Sequence, residues 1–371
     1  MVSGNRVTLL HDGAQCFPAM LGAIDSAREE ILLEMYWFHS DRVGQRFAEA
    51  LASKARDGVA VCVIYDTVGS WEANPAMFDE MRAAGCQVRE YHPIAPWRKR
   101  FKVGVVNRRD HRKLLVVDGS IAMTGGVNIG DPWASVEEGG EGWRDDMIRI
   151  EGPAALQARR VFLTTWTTLG GREPRSADWQ PSREDLERGA SRVRVLANDY
   201  FGDRRAIRRA YIDAIRAARS LVYVTNSYFV PDRVIRRALA SAVNRGVDVR
   251  VLVPGQSDVM AVYYAGRHLY GWLMRRGVRL YEWQRTVLHA KSAVIDDRWC
   301  TVGTFNLDYR SWRFNLEVNA TVEDAAVATA MRARFEKDLA HAVPVNPVNW
   351  RYRSPSDRLT EQFFYLFRRL L

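Results

Sequence analysis

The sequence predicts an α/β fold of two repeated lobes, each a mixed, largely parallel sheet flanked by helices, with one site between them. Three observations lead there. Ala23-Ile24-Asp25-Ser26-Ala27-Arg28 and Ala214-Ile215-Arg216-Ala217-Ala218-Arg219 open two similar passages, both passages alternate strand-like and helical patterns, and both run into the same polar motif. Alternating strands and helices imply parallel pairing with helices on both faces. A long internal repeat implies two copies of one unit.

The elements follow in order. Ile31 to Phe38 (ILLEMYWF) and Val222 to Phe229 (VYVTNSYF) are apolar, strand-like runs. Each is followed by Asp-Arg-Val, at Asp41 and Asp232, an aspartate placed to cap the helical pattern behind it. Those patterns stop before glycines, after which Gly58-VAVCVIYD and Gly246-VDVRVLVP give a second strand, and Gly85-CQVREY and Gly277-VRLYEW a third. The lobes span 1–170 and 193–345, joined by a polar linker over 171–192 that carries Pro174 and Pro181, and followed by a basic amphipathic tail over 346–371.

With 371 residues and 47% hydrophobic composition the chain can bury a large core. Its net charge of +10 favours anionic partners: nucleic acid, anionic lipid or phosphorylated metabolites. No apolar run reaches the ~18 residues of a membrane span and the N-terminus lacks a secretory pattern, so a cytoplasmic location is expected, with membrane contact from one side only. Cys16, Cys62, Cys86 and Cys300 are scattered and read as reduced, buried thiols; no spacing suggests a metal or other cofactor.

The chemistry sits after the third strand of each lobe. His111-Arg-Lys113-LLVV-Asp118 and His289-Ala-Lys291-SAVI-Asp296 both fit HxKxxxxD, with Gly125 and Gly303 seven residues beyond the aspartate and Asn128 and Asn306 ten beyond it. Residues two apart on a strand share a face, so His and Lys point together, while Asp118 and Asp296 have the opposite parity and are expected to organise the fold around each half-site. Two lysines and two asparagines can cradle the non-bridging oxygens of a phosphodiester, neutralising charge without a metal ion. Two imidazoles can divide the remaining work, one attacking phosphorus and one protonating the leaving group. Each imidazole needs a carboxylate on its other nitrogen. Aligning Asp145-DMIRIEG with Glu317-VNATVED makes Asp145 and Glu317 the candidates, with Asp146 a less favoured choice. His11, His39, His92, His268 and His341 lack such company and read as structural or surface residues.

The strings His111-RKLLVVDGSIAMTGGVNIGD, Trp143-RDDMIRIEGP and His289-AKSAVIDDRWCTVGTFNLDYRS resemble the duplicated motifs of the phospholipase D superfamily over roughly residues 7–340. They are most similar to bacterial cardiolipin synthases of the short kind without N-terminal transmembrane helices. The resemblance implies His111 as nucleophile and His289 as general acid/base, roles that sequence symmetry alone leaves open. It also implies a phosphohistidine intermediate, and transfer of a phosphatidyl group to phosphatidylglycerol to form cardiolipin. Phospholipase D hydrolysis or another phosphatidyl transfer is the near alternative and a nuclease the distant one, with nucleic acid disfavoured as partner. Gly125, Gly126, Gly303 and Thr304 are expected to shape the oxygen cradle, the Gly303-Thr304 pair departing from Gly125-Gly126.

Between Tyr91 and His111 the first lobe carries about 14 more residues than the second has between Trp283 and His289. Trp97, Arg98, Lys99, Arg100, Phe101, Lys102, Arg108 and Arg109 stand there with no carboxylate from Ile94 to Arg109, suited to anionic headgroups on the inner face of a bacterial membrane, or to a solvated basic loop. In the tail, Leu359, Phe363, Leu366, Phe367, Leu370 and Leu371 fall on one helical face, which suits either an interface or the protein's own core.

Overall fold

Asp41 and Asp232 show how the repeat becomes structure. The Asp41 carboxylate accepts the Gly44 N–H at 2.9 Å and starts helix Arg42–Arg56; Asp232 accepts from Val234 and Ile235 and starts helix Arg233–Asn244. Both helices are followed by a glycine of positive φ, Gly58 at 89° and Gly246 at 86°, the left-handed step that releases the chain into the next strand. The structure is a computed structural model and describes residues 1–93, 107–174, 181–199 and 203–370.

The first lobe holds β1 (Val2–His11), β2 (Glu30–Met35), β3 (Ala60–Asp66), β4 (Gln87–Tyr91), β5 (Lys113–Val117), β6 (Ile121–Gly125) and β7 (Asp146–Glu151). The second holds β8 (Ser191–Asn198), β9 (Leu221–Asn226), β10 (Asp248–Pro254), β11 (Arg279–Trp283), β12 (Lys291–Ile295), β13 (Trp299–Gly303), β14 (Glu317–Glu323) and β15 (Ala342–Pro344). Strand order is β1-β7-β6-β5-β2-β3-β4 in one lobe and β8-β14-β13-β12-β9-β10-β11-β15 in the other, and β1 pairs with β8 to join them. β8 begins inside the stretch expected as linker.

Helices cover both faces of each sheet. In the first lobe, the helices Asp12–Ser26, Arg42–Arg56 and Pro75–Ala83 bury Phe17, Phe47 and Phe78 on one face, and Ala155–Thr168 buries Phe162 and Trp166 on the other. The second lobe repeats this with Ala206–Ala217, Arg233–Asn244 and Met260–Met274 on one face and Ala325–Leu339 on the other.

The sheets are mixed, but "largely parallel" needs correction. Parallel pairing is confined to β2-β3-β4 and β9-β10-β11; all other neighbours are antiparallel. Between β5 and β6 the cause is loop length: they are joined by Asp118-Gly119-Ser120 alone, too short for the crossover a parallel pair needs.

The tail forms helices Pro347–Arg351 and Pro355–Leu366. One face of the second packs on Met260–Met274, through Phe364 on Tyr264 and Tyr365 on His268, with ring centroids 5.8 and 4.2 Å apart. Buried Glu361 takes Arg353 at 2.9 Å. The opposite face, with Leu359, Phe363, Leu366, Phe367 and Leu370, is exposed. Among the described residues no helix is long and apolar enough to cross a membrane, and all four cysteines are free and buried.

Candidate active site

β5 and β12 begin at Lys113 and Lys291 rather than at the histidines, because the residues just before them pair with the opposite lobe. The His111 N–H donates to the Leu316 carbonyl at 3.0 Å and the His289 N–H to the Arg144 carbonyl at 2.8 Å. Leu316 and Arg144 immediately precede Glu317 and Asp145. The strand pairing therefore carries each carboxylate across to the other lobe's histidine: His111 Nδ1 lies 3.1 Å from both oxygens of Glu317, and His289 Nδ1 lies 2.8 Å from Asp145 Oδ2. With Nδ1 engaged in both rings, Nε2 is left for chemistry.

Both histidines, Asn128 and Asn306 line one cavity of about 490 Å³ between the lobes. The Asn128 amide oxygen accepts the Trp37 N–H and that of Asn306 accepts the Ser227 hydroxyl, so the –NH2 ends are the ones available to an anionic oxygen. Lys113 and Lys291 are fully buried. Each ammonium donates to the carbonyl of its own histidine and lies over an aromatic ring, Tyr36 at 4.7 Å and Tyr228 at 5.8 Å.

Burial dominates the electrostatics. It lowers Lys113 to about 7, aided by the charge of Lys291, and lowers Lys291 to about 8 against nearby carboxylates. His111 is pushed well below its ordinary value by burial, then by Lys113, Lys291 and His289. His289 is lowered by burial and Lys291 while Asp145 opposes. Burial raises Glu317 to about 8 despite the Thr304 hydrogen bond. Burial would raise Asp145 too, but the charge and hydrogen bond of His289, then Lys291 and the Trp133 indole, hold it below the usual carboxylate range. These shifts show that the four motif groups act on one another across the lobe boundary.

Asp118 and Asp296 belong outside the reacting set. Asp118 accepts the N–H groups of Arg28, Glu29 and Glu30, Asp296 those of Arg219, Ser220 and Leu221, and neither lines the cavity. They pin the entry to β2 and β9. The glycine cradle is likewise corrected, because none of Gly125, Gly126, Gly303 and Thr304 lines the cavity. A Cβ on Gly126 would lie 2.0 Å from Asp145 Oδ1, and one on Gly125 2.2 Å from the Asp146 carbonyl oxygen. A Cβ on Gly303 would meet Asn319 Oδ1 at 2.3 Å, while the Thr304 hydroxyl donates to Glu317. These positions serve the carboxylates and strand packing. Asp146 accepts from Arg144 at 2.7 Å and meets His11 Nδ1 at 3.0 Å, away from both motif histidines.

Trp97, Arg98, Lys99, Arg100, Phe101 and Lys102 lie outside the described residues; at the edge of that segment, Arg109 lines the cavity. His39, expected to be a structural or surface residue, also lines it, as do Tyr36, Trp37, Tyr228, Asp258, Asp308 and Arg310. Tyr36 and Tyr228 follow the C-terminal ends of β2 and β9, where open α/β sheets place their ligands, a positional signal the sequence did carry. Asp308 and Arg310 follow Asn306, but their counterparts after Asn128 are Gly130 and Pro132, so the repeat hid them. Among the described residues no group of three or more His, Cys, Asp or Glu side chains is placed to hold a metal ion.

Residues 20–166 and 211–339 match the family described as cardiolipin synthase, PLD-like domain. The chain belongs to this family. It is similar to a cardiolipin synthase of Geobacillus thermodenitrificans, 33% identical over 367 residues covering 99% of this chain and 72% of that protein. It is also similar to cardiolipin synthase 1 of Bacillus cereus, 30% identical over 371 residues covering 98% and 72%. The family fold extends to phosphatidylserine synthase of Haemophilus influenzae, with a TM-score of 0.74 at 15% identity over 98% of this chain and 95% of that one. Polyphosphate kinase of Porphyromonas gingivalis gives a TM-score of 0.62 at 14% identity over 92% and 49%.

Proposed function

We propose that this member of the family is a cardiolipin synthase-type phosphatidyltransferase acting without a metal ion, peripheral on the inner face of a bacterial cell membrane. The observation that carries it is the pair of buried histidines, each held at Nδ1 by a carboxylate of the opposite lobe and both lining one cavity with Asn128 and Asn306. In the first displacement His111 Nε2 attacks phosphorus of the donor phospholipid. The bond from phosphorus to the leaving oxygen breaks, and a proton from His289 Nε2 goes to that oxygen. The phosphatidyl group is then held on His111. In the second displacement His289 takes the proton of a phosphatidylglycerol hydroxyl as its oxygen attacks phosphorus, and the phosphorus–nitrogen bond breaks. Cardiolipin leaves, with configuration at phosphorus retained.

Lys113, Lys291 and the two asparagine amides supply the positive and donor groups that charge developing on the phosphoryl oxygens needs. An incoming phosphodiester anion favours the charged form of both lysines, restoring protons that burial makes easy to lose. A neutral, unprotonated His111 suits attack, and an anionic Asp145 suits a His289 that must carry a proton part of the time.

Purified protein incubated with labelled phosphatidylglycerol, with and without chelator, tests the proposal. The expected products are cardiolipin and glycerol, insensitive to chelator. Phosphatidic acid alone would mean hydrolysis, cleaved DNA a nuclease, and loss of activity with chelator a metal-dependent mechanism.

A further inference from the structure

The exposed residues that line the cavity mouth are four apolar side chains, Val68, Trp71, Val259 and Leu370, and two carboxylates, Glu72 and Asp258. Trp71 is 73% exposed, Leu370 60% and Val68 40%, and all three line the cavity, as does Val259 at the start of helix Met260–Met274. Val68 and Trp71 follow β3, Val259 follows β10, and Leu370 belongs to the tail, so both lobes and the tail contribute to one edge. Isolated apolar residues on a surface need no explanation, but a cluster at the mouth of a pocket does.

The tail extends this edge. Leu359, Phe363, Leu366 and Phe367 occupy one side of its last helix at helical spacing and are exposed, while the other side is committed to Met260–Met274. Held this way the helix cannot roll its apolar side inward. Exposed Arg358 and Arg369 flank that side, and at the mouth Arg310 donates to Asn107 at 2.7 Å and to the Leu370 carbonyl at 3.4 Å. An apolar face bordered by arginines matches the layered chemistry of an anionic lipid surface, acyl chains inside and phosphates outside.

We propose that the rim and the exposed side of the last helix form a single docking face that seats the cavity mouth on an anionic bilayer. A headgroup then passes into the cavity while its acyl chains stay in the membrane. The orientation rests on the phosphatidyltransferase reading; the docking face itself does not, since it is argued from exposure, charge and position.

The test is co-sedimentation of the full chain with vesicles of phosphatidylglycerol and phosphatidylcholine, alongside activity on a short-chain phosphatidylglycerol dispersed below its micellar concentration. Replacing Phe363, Leu366 and Phe367 by Ser, none of which lines the cavity, should weaken vesicle binding at least tenfold. The same variant should retain wild-type turnover of the dispersed substrate, which also reports that it folds. Unchanged vesicle binding by the triple variant, or no binding by the wild-type protein, overturns the proposal. So does a wild-type dimer that the triple variant converts to monomer while vesicle binding persists, since the face would then be an interface between copies. Vesicle binding lost in the variant while neither protein turns over any phospholipid leaves the docking face standing and removes the phosphatidyltransferase reading.

Discussion

The two half-sites share a backbone plan and differ in what holds the histidine. In the first, Glu317 bridges His111, the Thr304 hydroxyl and the Asn315 amide, and burial raises it to about 8. In the second, the shorter Asp145 meets His289, accepts from the Trp133 indole and packs where Gly126 has no side chain; it stays below the usual carboxylate range. Corresponding positions have thus diverged together: a longer carboxylate with a hydroxyl beside it, a shorter one with a hydrogen beside it. A carboxylate that holds its charge stabilises an imidazolium; one whose charge is opposed by burial supports it less, while still accepting the Nδ1 proton that leaves Nε2 free. A duplicated scaffold can separate nucleophile from acid in this way.

The sharpest way to break the comparison is to remove each imidazole. His111→Ala should abolish the covalent phosphoenzyme and lower turnover by ~10⁴-fold or more. His289→Ala should lower it by ~10²–10⁴-fold, with a phosphoenzyme still forming from a donor whose leaving group needs no proton. Mass spectrometry of the trapped intermediate decides, and an adduct on His289 would reverse the roles.

Next come the carboxylates. Asp145→Asn should cost ~10²–10⁴-fold in kcat, since the charge supporting a protonated His289 is lost, whereas Glu317→Gln should cost roughly tenfold or less because a Gln oxygen can still accept the Nδ1 proton of a His111 that attacks in its neutral form. Equal losses would show that the two half-sites are electrostatically equivalent.

The lysines give the pH dependence. kcat/KM should fall as pH rises through 7–8, where Lys113 and Lys291 lose their protons in the free enzyme. Stability should run the other way. The folded-state values lie below the ordinary lysine value of 10.5, so between about 7 and 10.5 the unfolded chain binds more protons and these two groups make the fold more stable as pH rises. Lys113→Met should therefore lower activity ~10²–10³-fold while its Tm at pH 7 is at or above wild type. A lower Tm would mean that the ammonium's contacts with Tyr36 and the His111 carbonyl outweigh its desolvation.

The smallest effect belongs to the motif aspartates. Asp118→Ala and Asp296→Ala each strip three backbone N–H groups of their acceptor and should destabilise by about 1–3 kcal/mol in urea unfolding. Activity per folded molecule should stay within about twofold. A large loss of kcat in fully folded protein would return these residues to the reacting centre.

The sequence by itself determined the repeat, the helix caps at Asp41 and Asp232, the paired His/Lys/Asn sets and the correspondence of Asp145 with Glu317. All of these are local patterns or comparisons of one stretch with another, and strand parity alone kept Asp118 and Asp296 off the histidine face. The antiparallel pairing of β5 with β6 is legible in the three-residue turn between them, whereas the βαβ rhythm of the rest points to parallel strands. What only the tertiary structure decided is who partners whom. Asp145 serves His289 and Glu317 serves His111 because two segments pair across the lobe boundary, and no spacing along the chain encodes a contact between residues 144 or 206 positions apart. The shifted pKa values follow from burial that exists only once the lobes close on one another. For the same reason Trp71 and the outer side of the last helix became significant only when folding brought them to the mouth of one cavity.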